Sequence, residues 1–194
     1  MSQLTREDLM GLEQYSEERD AFRARVMQHK KDRIIHLGPN MSLHFEDRLI
    51  MQYQIQEMLR AERIFDAAGI QEELDTYNAL IPDGHNWKAT LMIEYSDVDE
   101  RALALRQLLG VENLVWMQVE GFNKVFPVAD EDLERATEEK TSSVHFLRFE
   151  LSADMIQAVK NNVGISIGVD HPAYRYSIEP LPDNYRQSLA NDLN

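Results

Sequence analysis

Apolar and polar positions alternate from Trp87 to Tyr95. Trp87, Ala89, Leu91, Ile93 and Tyr95 oppose Lys88, Thr90, Met92 and Glu94. A period of two predicts a half-buried strand. Val163–Val169 alternates large residues with Gly164, Ser166 and Gly168 and is expected to pair with Ala173–Glu179. Thr141–Leu151 is rich in β-formers but does not alternate cleanly. Val144, Phe146, Arg148 and Glu150 share one face, and His145, Leu147, Phe149 and Leu151 the other. Both faces are substantially apolar, so this strand is expected to be central and covered on both sides.

Helical periods occupy the segments between. Thr5 reads as a cap, and a helix is predicted from about Glu13 to Asp32 with Tyr15, Phe22 and Val26 on one face. A second is predicted from Asp47 to Ala68, closed by Gly69, and a third from Gln71 to Leu80. Further helices are expected after Asp97, after Ser152 and from Pro182-Asp183. Two hairpins are predicted: Arg33–Leu37 with Met41–Glu46, and Leu114–Glu120 with Lys124–Val128 about Gly121. Sequential hairpins with helices between them predict a single α+β domain over residues 1–194. Its sheet should be mainly antiparallel, with helices packed on it, rather than doubly wound and parallel.

On a helical wheel, Ile50, Tyr53, Met58, Ala61, Ile64, Phe65 and Ala68 make one apolar stripe of the Asp47–Ala68 helix. This stripe is expected to lie on the sheet. Gln54 and Glu57 fall inside it, while Gln52, Gln56, Arg60 and Arg63 form the solvent arc. A carboxylate in an apolar stripe needs a cation or a donor. Arg148 is the expected partner of Glu57, because it too lies on an apolar face, and Gln54 is expected to fill a remaining hydrogen bond.

Composition narrows the chemistry. The 194 residues carry a net charge of −14 and no cysteine. Without cysteine there are no disulfides, thiolate metal sites, cysteine-ligated iron–sulfur clusters or cysteine nucleophiles. Residues 1–63 are nearly balanced in charge, and residues 64–194 carry almost all of the excess acid. Nucleic acid is excluded as a partner, because binding it needs phosphate neutralisation. Arg19, Arg23, Arg25, Lys30, Lys31 and Arg33 are interleaved with acids and read as a solvated helix face. No apolar run is long enough to span a bilayer, and the first residues lack a signal-peptide core, so a cytoplasmic location is expected.

No Walker loop, dinucleotide fingerprint, G-x-S-x-G elbow or E-x-x-H pair occurs. What remains is a candidate polar pocket of Gln54, Glu57, His145, Arg148, Glu150, Asp170 and His171. His145 and His171 with Asp170 or another carboxylate would suit a divalent iron, zinc or manganese ion. The alternative for each histidine is a core ring satisfied by local acceptors. His36 and His44 flank the first hairpin, with Glu46 on the face of His44.

Several segments resemble one bacterial family, domain of unknown function 3501. They are Leu37-Gly38-Pro39, Tyr53 to Arg63, Glu73 to Asn78, Gln118 to Gly121, Asp130 to Arg135, Glu139 to Glu150 and Gly168 to Tyr174. The resemblance spans nearly the whole chain and implies a single domain. It carries no established activity and no catalytic residues. Genes of the family lie beside those of rubrerythrin-like proteins and iron–sulfur oxidoreductases. The resemblance therefore implies a redox or peroxide-response setting, in which this chain would be an accessory or binding protein with a redox partner. The other expectation is a metal-binding protein or small-molecule enzyme built on the polar pocket.

Overall fold

The computed structural model describes residues 3–133, 135–137 and 139–194. In chain order the elements are α1 (Leu12–Lys30), β1 (Ile34–His36), β2 (Met41–Phe45), α2 (Arg48–Glu62), α3 (Ala67–Asn78), β3 (Asn86–Ile93) and α4 (Val98–Gln107). They continue as β4 (Val115–Val119), β5 (Val128–Ala129), β6 (Val144–Glu150), α5 (Ala153–Lys160), β7 (Ile165–His171), β8 (Tyr174–Ile178) and α6 (Asp183–Ala190). The architecture is α+β, and all strand pairing is antiparallel among the described residues. The strands divide between two sheets rather than one: β1-β2-β3-β6-β5 and β4-β7-β8.

Alternation decides which sheet faces are apolar. Trp87, Ala89, Leu91 and Ile93 of β3 point to the same side as Leu147 and Phe149 of β6 and Leu43 and Phe45 of β2. Val115, Met117 and Val119 of β4, with Ile165, Ile167 and Val169 of β7, join the same buried cluster. Residues of α4, α5 and α6 complete it. Full burial of such a side chain stabilises by about 1.5–3 kcal/mol. Tyr174 of β8 fastens the two sheets together. Its hydroxyl donates to the Leu37 carbonyl at 2.7 Å and accepts from the Asn40 amide at 3.0 Å. Gly38 lies between these contacts at φ +75°, and an added Cβ would stand 2.7 Å from the Tyr174 oxygen.

The N-terminal helices have cores of their own. Ile50, Met51, Ile55 and Leu59 of α2 pack with Leu74 and Ile81, and Tyr53 packs with Tyr15, Phe22 and Val26 of α1. The α2 helix therefore buries its apolar residues against helices, not against the sheet. The solvent arc is also corrected. Gln56 is fully buried, its amide oxygen accepting from the Met10 N–H at 2.6 Å. Phe65 is 69% exposed. The cause is a break at Arg63, which is left-handed at φ 57°. Asp66 then caps α3 by accepting the Gly69 amide at 2.9 Å, so Gly69 lies in the first turn of a new helix. The hairpin expected about Gly121 reduces to a single bridge, Met117 to Val125, because β4 pairs with β7 and β5 with β6.

Arg33 overturns the reading of a solvated basic face. It is 1% exposed. Its guanidinium donates to the carbonyls of Phe45 (3.0 Å), Glu46 (3.0 Å) and Ser188 (3.2 Å) and to the Asp192 carboxylate at 2.6 Å. Asp47 lies 3.4 Å away, caps α2 through the Ile50 amide and also contacts His29. Burial pushes the Asp192 carboxyl up to about 6, against the pull of Arg33. An acid raised in the folded state stabilises fully below its unfolded value of 3.8 and loses that contribution as pH rises through about 6. In urea denaturation, Arg33→Met is expected to cost about 3–5 kcal/mol, because two carboxylates are left without their cation. Asp192→Asn is expected to cost less and to remove the fall in stability between pH 4 and 6.

Candidate functional site

The outer face of the five-stranded sheet follows from the strand registers. Arg148 lies between Lys88 on β3 and Val128 on β5, and Thr90 lies between Phe146 and His44. The last turn of α3 stands over this face with Asp75, Thr76 and Tyr77, followed by Ala79 and Leu80. The segment after β5 brings Glu131 and Asp132 to the mouth. Together they enclose a cleft of about 660 Å³ whose surface is mainly apolar.

Three polar groups give the cleft its chemistry. The Arg148 guanidinium grips both oxygens of Glu131 at 2.7 Å and also contacts Glu150. That grip holds Glu131 below the usual carboxylate range and Arg148 above its ordinary value. The Lys88 ammonium donates to the Ala79 carbonyl at 2.7 Å, at the C-terminal end of α3 where a cation is favoured. Burial nevertheless lowers its pKa. The Glu46 carboxylate accepts from the Thr90 hydroxyl at 2.7 Å, and burial raises it. A concave, mostly apolar site with a few converging polar groups is the usual form of a small-molecule pocket.

His145 lies on the opposite face of β6 and is fully buried. Its Nδ1 meets Asp130 Oδ2 at 2.6 Å, and its Nε2 lies 2.8 Å from Thr141 Oγ1 and 3.1 Å from the Ser142 carbonyl. Thr141 in turn donates to Glu112 at 3.2 Å. Asp130 also accepts the Phe146 amide at 2.9 Å, from a left-handed backbone at φ 51°. An acid, an imidazole and a hydroxyl thus stand in line, as in nucleophilic catalysis. Thr141, however, is 2% exposed and His145 fully buried, so the hydroxyl end of the row is closed to solvent. It acts as a staple, pinning the segments before β6 to the core strand.

The residues expected to share one pocket are dispersed. Glu57 does not meet Arg148. It accepts from both Nε and Nη2 of Arg19 at 2.7 Å and from the Tyr15 hydroxyl at 2.7 Å. Arg19 first, then Tyr15, holds its carboxyl down at about 2. The physical reason is proximity: α1 and α2 pack together, so a cation on α1 reaches Glu57 without crossing the sheet. Gln54 is half-buried on α2. Asp170 is held low by Lys124, whose ammonium is 2.7 Å away and also lies over the Trp116 ring. His171 Nε2 faces the Leu109 carbonyl at 3.2 Å, and its Nδ1 accepts the Ala173 amide at 3.1 Å. The ring nitrogens of both histidines are thus engaged locally, in different sheets. No group of three or more His, Cys, Asp or Glu is placed to hold a metal ion among the described residues. His145, His171 and Asp170 are not brought together into such a group.

Of the residues expected to share one pocket, Arg148 lines the cleft, and Glu150 contacts Arg148 from beside the lining. Lys88, Glu131 and Tyr77 were not singled out from the sequence. The alternation of β3 carried a signal for Lys88, because its register with β6 sets it beside Arg148.

Two outcomes follow for Glu57. Stability supplied by a lowered acid is complete above its unfolded value of 4.5 and is lost as pH falls towards about 2. Denaturation curves of Glu57→Gln are expected to lack that acid-side loss. In double-mutant cycles, Glu57→Gln with Arg19→Met should be non-additive. Glu57→Gln with Arg148→Met should add to within about 0.5 kcal/mol.

Among the described residues, no helix is long and apolar enough to cross a membrane. No curated protein matches the chain. Among solved structures it is similar to the crystal structure of a novel protein of unknown function from Burkholderia pseudomallei. The two share 47% sequence identity with a TM-score of 0.93, over 100% of each chain. The model of the family described as protein of unknown function (DUF3501) matches residues 3–193. The chain belongs to that family.

Proposed function

We propose that this protein is a cytoplasmic accessory protein of redox enzymes, and that it binds a small molecule in the cleft on the sheet face. One observation carries the binding reading. The cleft joins an apolar floor to Glu46, Lys88 and Arg148, and its volume of about 660 Å³ is of the size that small-molecule sites occupy. The redox setting is supported by the gene neighbours that the family resemblance brings. The absence of cysteine fits an accessory rather than a carrier of a cysteine-ligated cluster. The charge of −14 suits association with a basic protein surface and disfavours nucleic acid.

A second reading, a small-molecule enzyme, is favoured by the opposite shifts of Glu46 and Lys88. Burial raises the acid and lowers the amine, so both move towards neutral pH, where proton transfer is most effective. One experiment separates the readings. A panel of small organic compounds is added to the isotope-labelled protein, and backbone amide shifts are followed by NMR. Shifts centred on Ala89, Phe146, Leu147 and Arg148 with the compound recovered unchanged support binding. Conversion of a compound that stops in Lys88→Met supports the enzyme. The absence of any shift in the cleft would overturn both.

A further inference from the structure

On the small-molecule reading of the cleft, we infer that its ligand is an organic cation, an ammonium group on an apolar body, with Glu46 as the counter-charge. The lining carries four carboxylates, Glu46, Asp75, Glu131 and Asp132, against two cations, Lys88 and Arg148. Arg148 is already paired with carboxylates, whereas Lys88 makes one hydrogen bond, to a carbonyl, and no ion pair among the described residues. Arg148 holds Glu131 through two bonds of 2.7 Å and Glu150 through its remaining nitrogen. Lys88 is bonded to the carbonyl that ends α3. An anionic ligand would find Lys88 alone, because reaching Arg148 means displacing Glu131 from a bidentate pair, the strongest kind of side-chain ion contact. It would also lie near the carboxylates of Asp75 and Glu46, Asp132 being paired with Arg135.

A cation meets the opposite situation. Glu46 receives one side-chain hydrogen bond, from the Thr90 hydroxyl at 2.7 Å. Among the described residues, no cation lies within ion-pair distance of its carboxylate. Arg33 is close along the chain, but it bonds the Glu46 backbone carbonyl and directs its other donors to Phe45, Ser188 and Asp192. The carboxylate is thus partly desolvated and lines the cleft, and Lys30 and Arg33 attract it only from beyond ion-pair distance. An arriving ammonium would replace solvent at that oxygen, while Tyr77, Leu80 and Phe146 would take up its apolar body.

The test uses the full chain and three probes of one shape: 3-phenylpropylamine, 3-phenylpropanol and 3-phenylpropionate. Affinities come from calorimetry, and the site from amide shifts at Ala89, Phe146 and Leu147. The amine is expected to bind at least about 10-fold more tightly than the alcohol. Glu46→Gln should abolish that preference, so that the amine binds no more tightly than the alcohol. Glu57→Gln, which removes a carboxylate paired elsewhere, should leave the preference intact. The inference is overturned if the propionate binds as well as the amine, or if Glu46→Gln leaves the preference in place. In either case alcohol binding in the cleft would keep the small-molecule reading. If none of the three probes shifts the cleft amides, the reading of the cleft falls and the inference with it. The probe comparison on the wild-type chain decides the charge preference even where Glu46→Gln fails to fold.

Discussion

Arg33 brings a planar charge with five donors into a place almost closed to water, and several parts of the fold are organised around it. Its bonds reach the end of β2 at Phe45, the carbonyl of Glu46, the α6 residue Ser188 and the C-terminal Asp192. Asp47 sits beside it, opens α2 and contacts the end of α1 through His29. One guanidinium therefore ties the helical part, the sheet and the C-terminus together. Such a network tolerates little displacement, because a buried donor left unbonded costs about 1–3 kcal/mol. Trp87 reinforces the junction from the sheet, its indole donating to the Leu189 carbonyl at 2.9 Å.

The cleft is a consequence of this arrangement. The inner face of the five-stranded sheet is apolar and shares one core with the second sheet. Its outer face is mixed, carrying Lys88, Thr90, Phe146 and Arg148. The helices α1, α2 and α3 bury their own apolar residues in separate clusters. They are under little pressure to close over a half-polar sheet face. The end of α3 approaches it, held by the bond from Lys88 to Ala79. Arg33 fixes Glu46 at the border of this space by its backbone carbonyl, which leaves the carboxylate facing the cleft.

The other charges on apolar faces are resolved locally. Glu57 is met by Arg19 and Tyr15, Asp170 by Lys124, and His145 by Asp130 and Thr141. A desolvated charge is stabilised most by the nearest complementary group, and each finds one on its own side of the molecule. For that reason the polar residues that stand out in the sequence do not converge. The residues of the cleft stand out less, because Lys88 and Glu46 are ordinary polar positions in alternating strands.

Local patterning determined much of this protein by itself. The alternation of Trp87 to Ile93, the capping side chains of Asp97 and Ser152 and the pairing of β7 with β8 all appear as the sequence predicts. The α+β class follows from them, because periodicity and capping act over a few residues and need no distant partner. Tertiary structure alone decided the rest. It divided the strands between two sheets, ended α2 at Arg63 and buried Gln56 and Arg33. It gave Glu57 to Arg19 instead of Arg148 and placed Lys88 beside Arg148 under the end of α3. These outcomes depend on which segments meet when the chain closes, and a charge takes its partner from that meeting rather than from its place in the sequence.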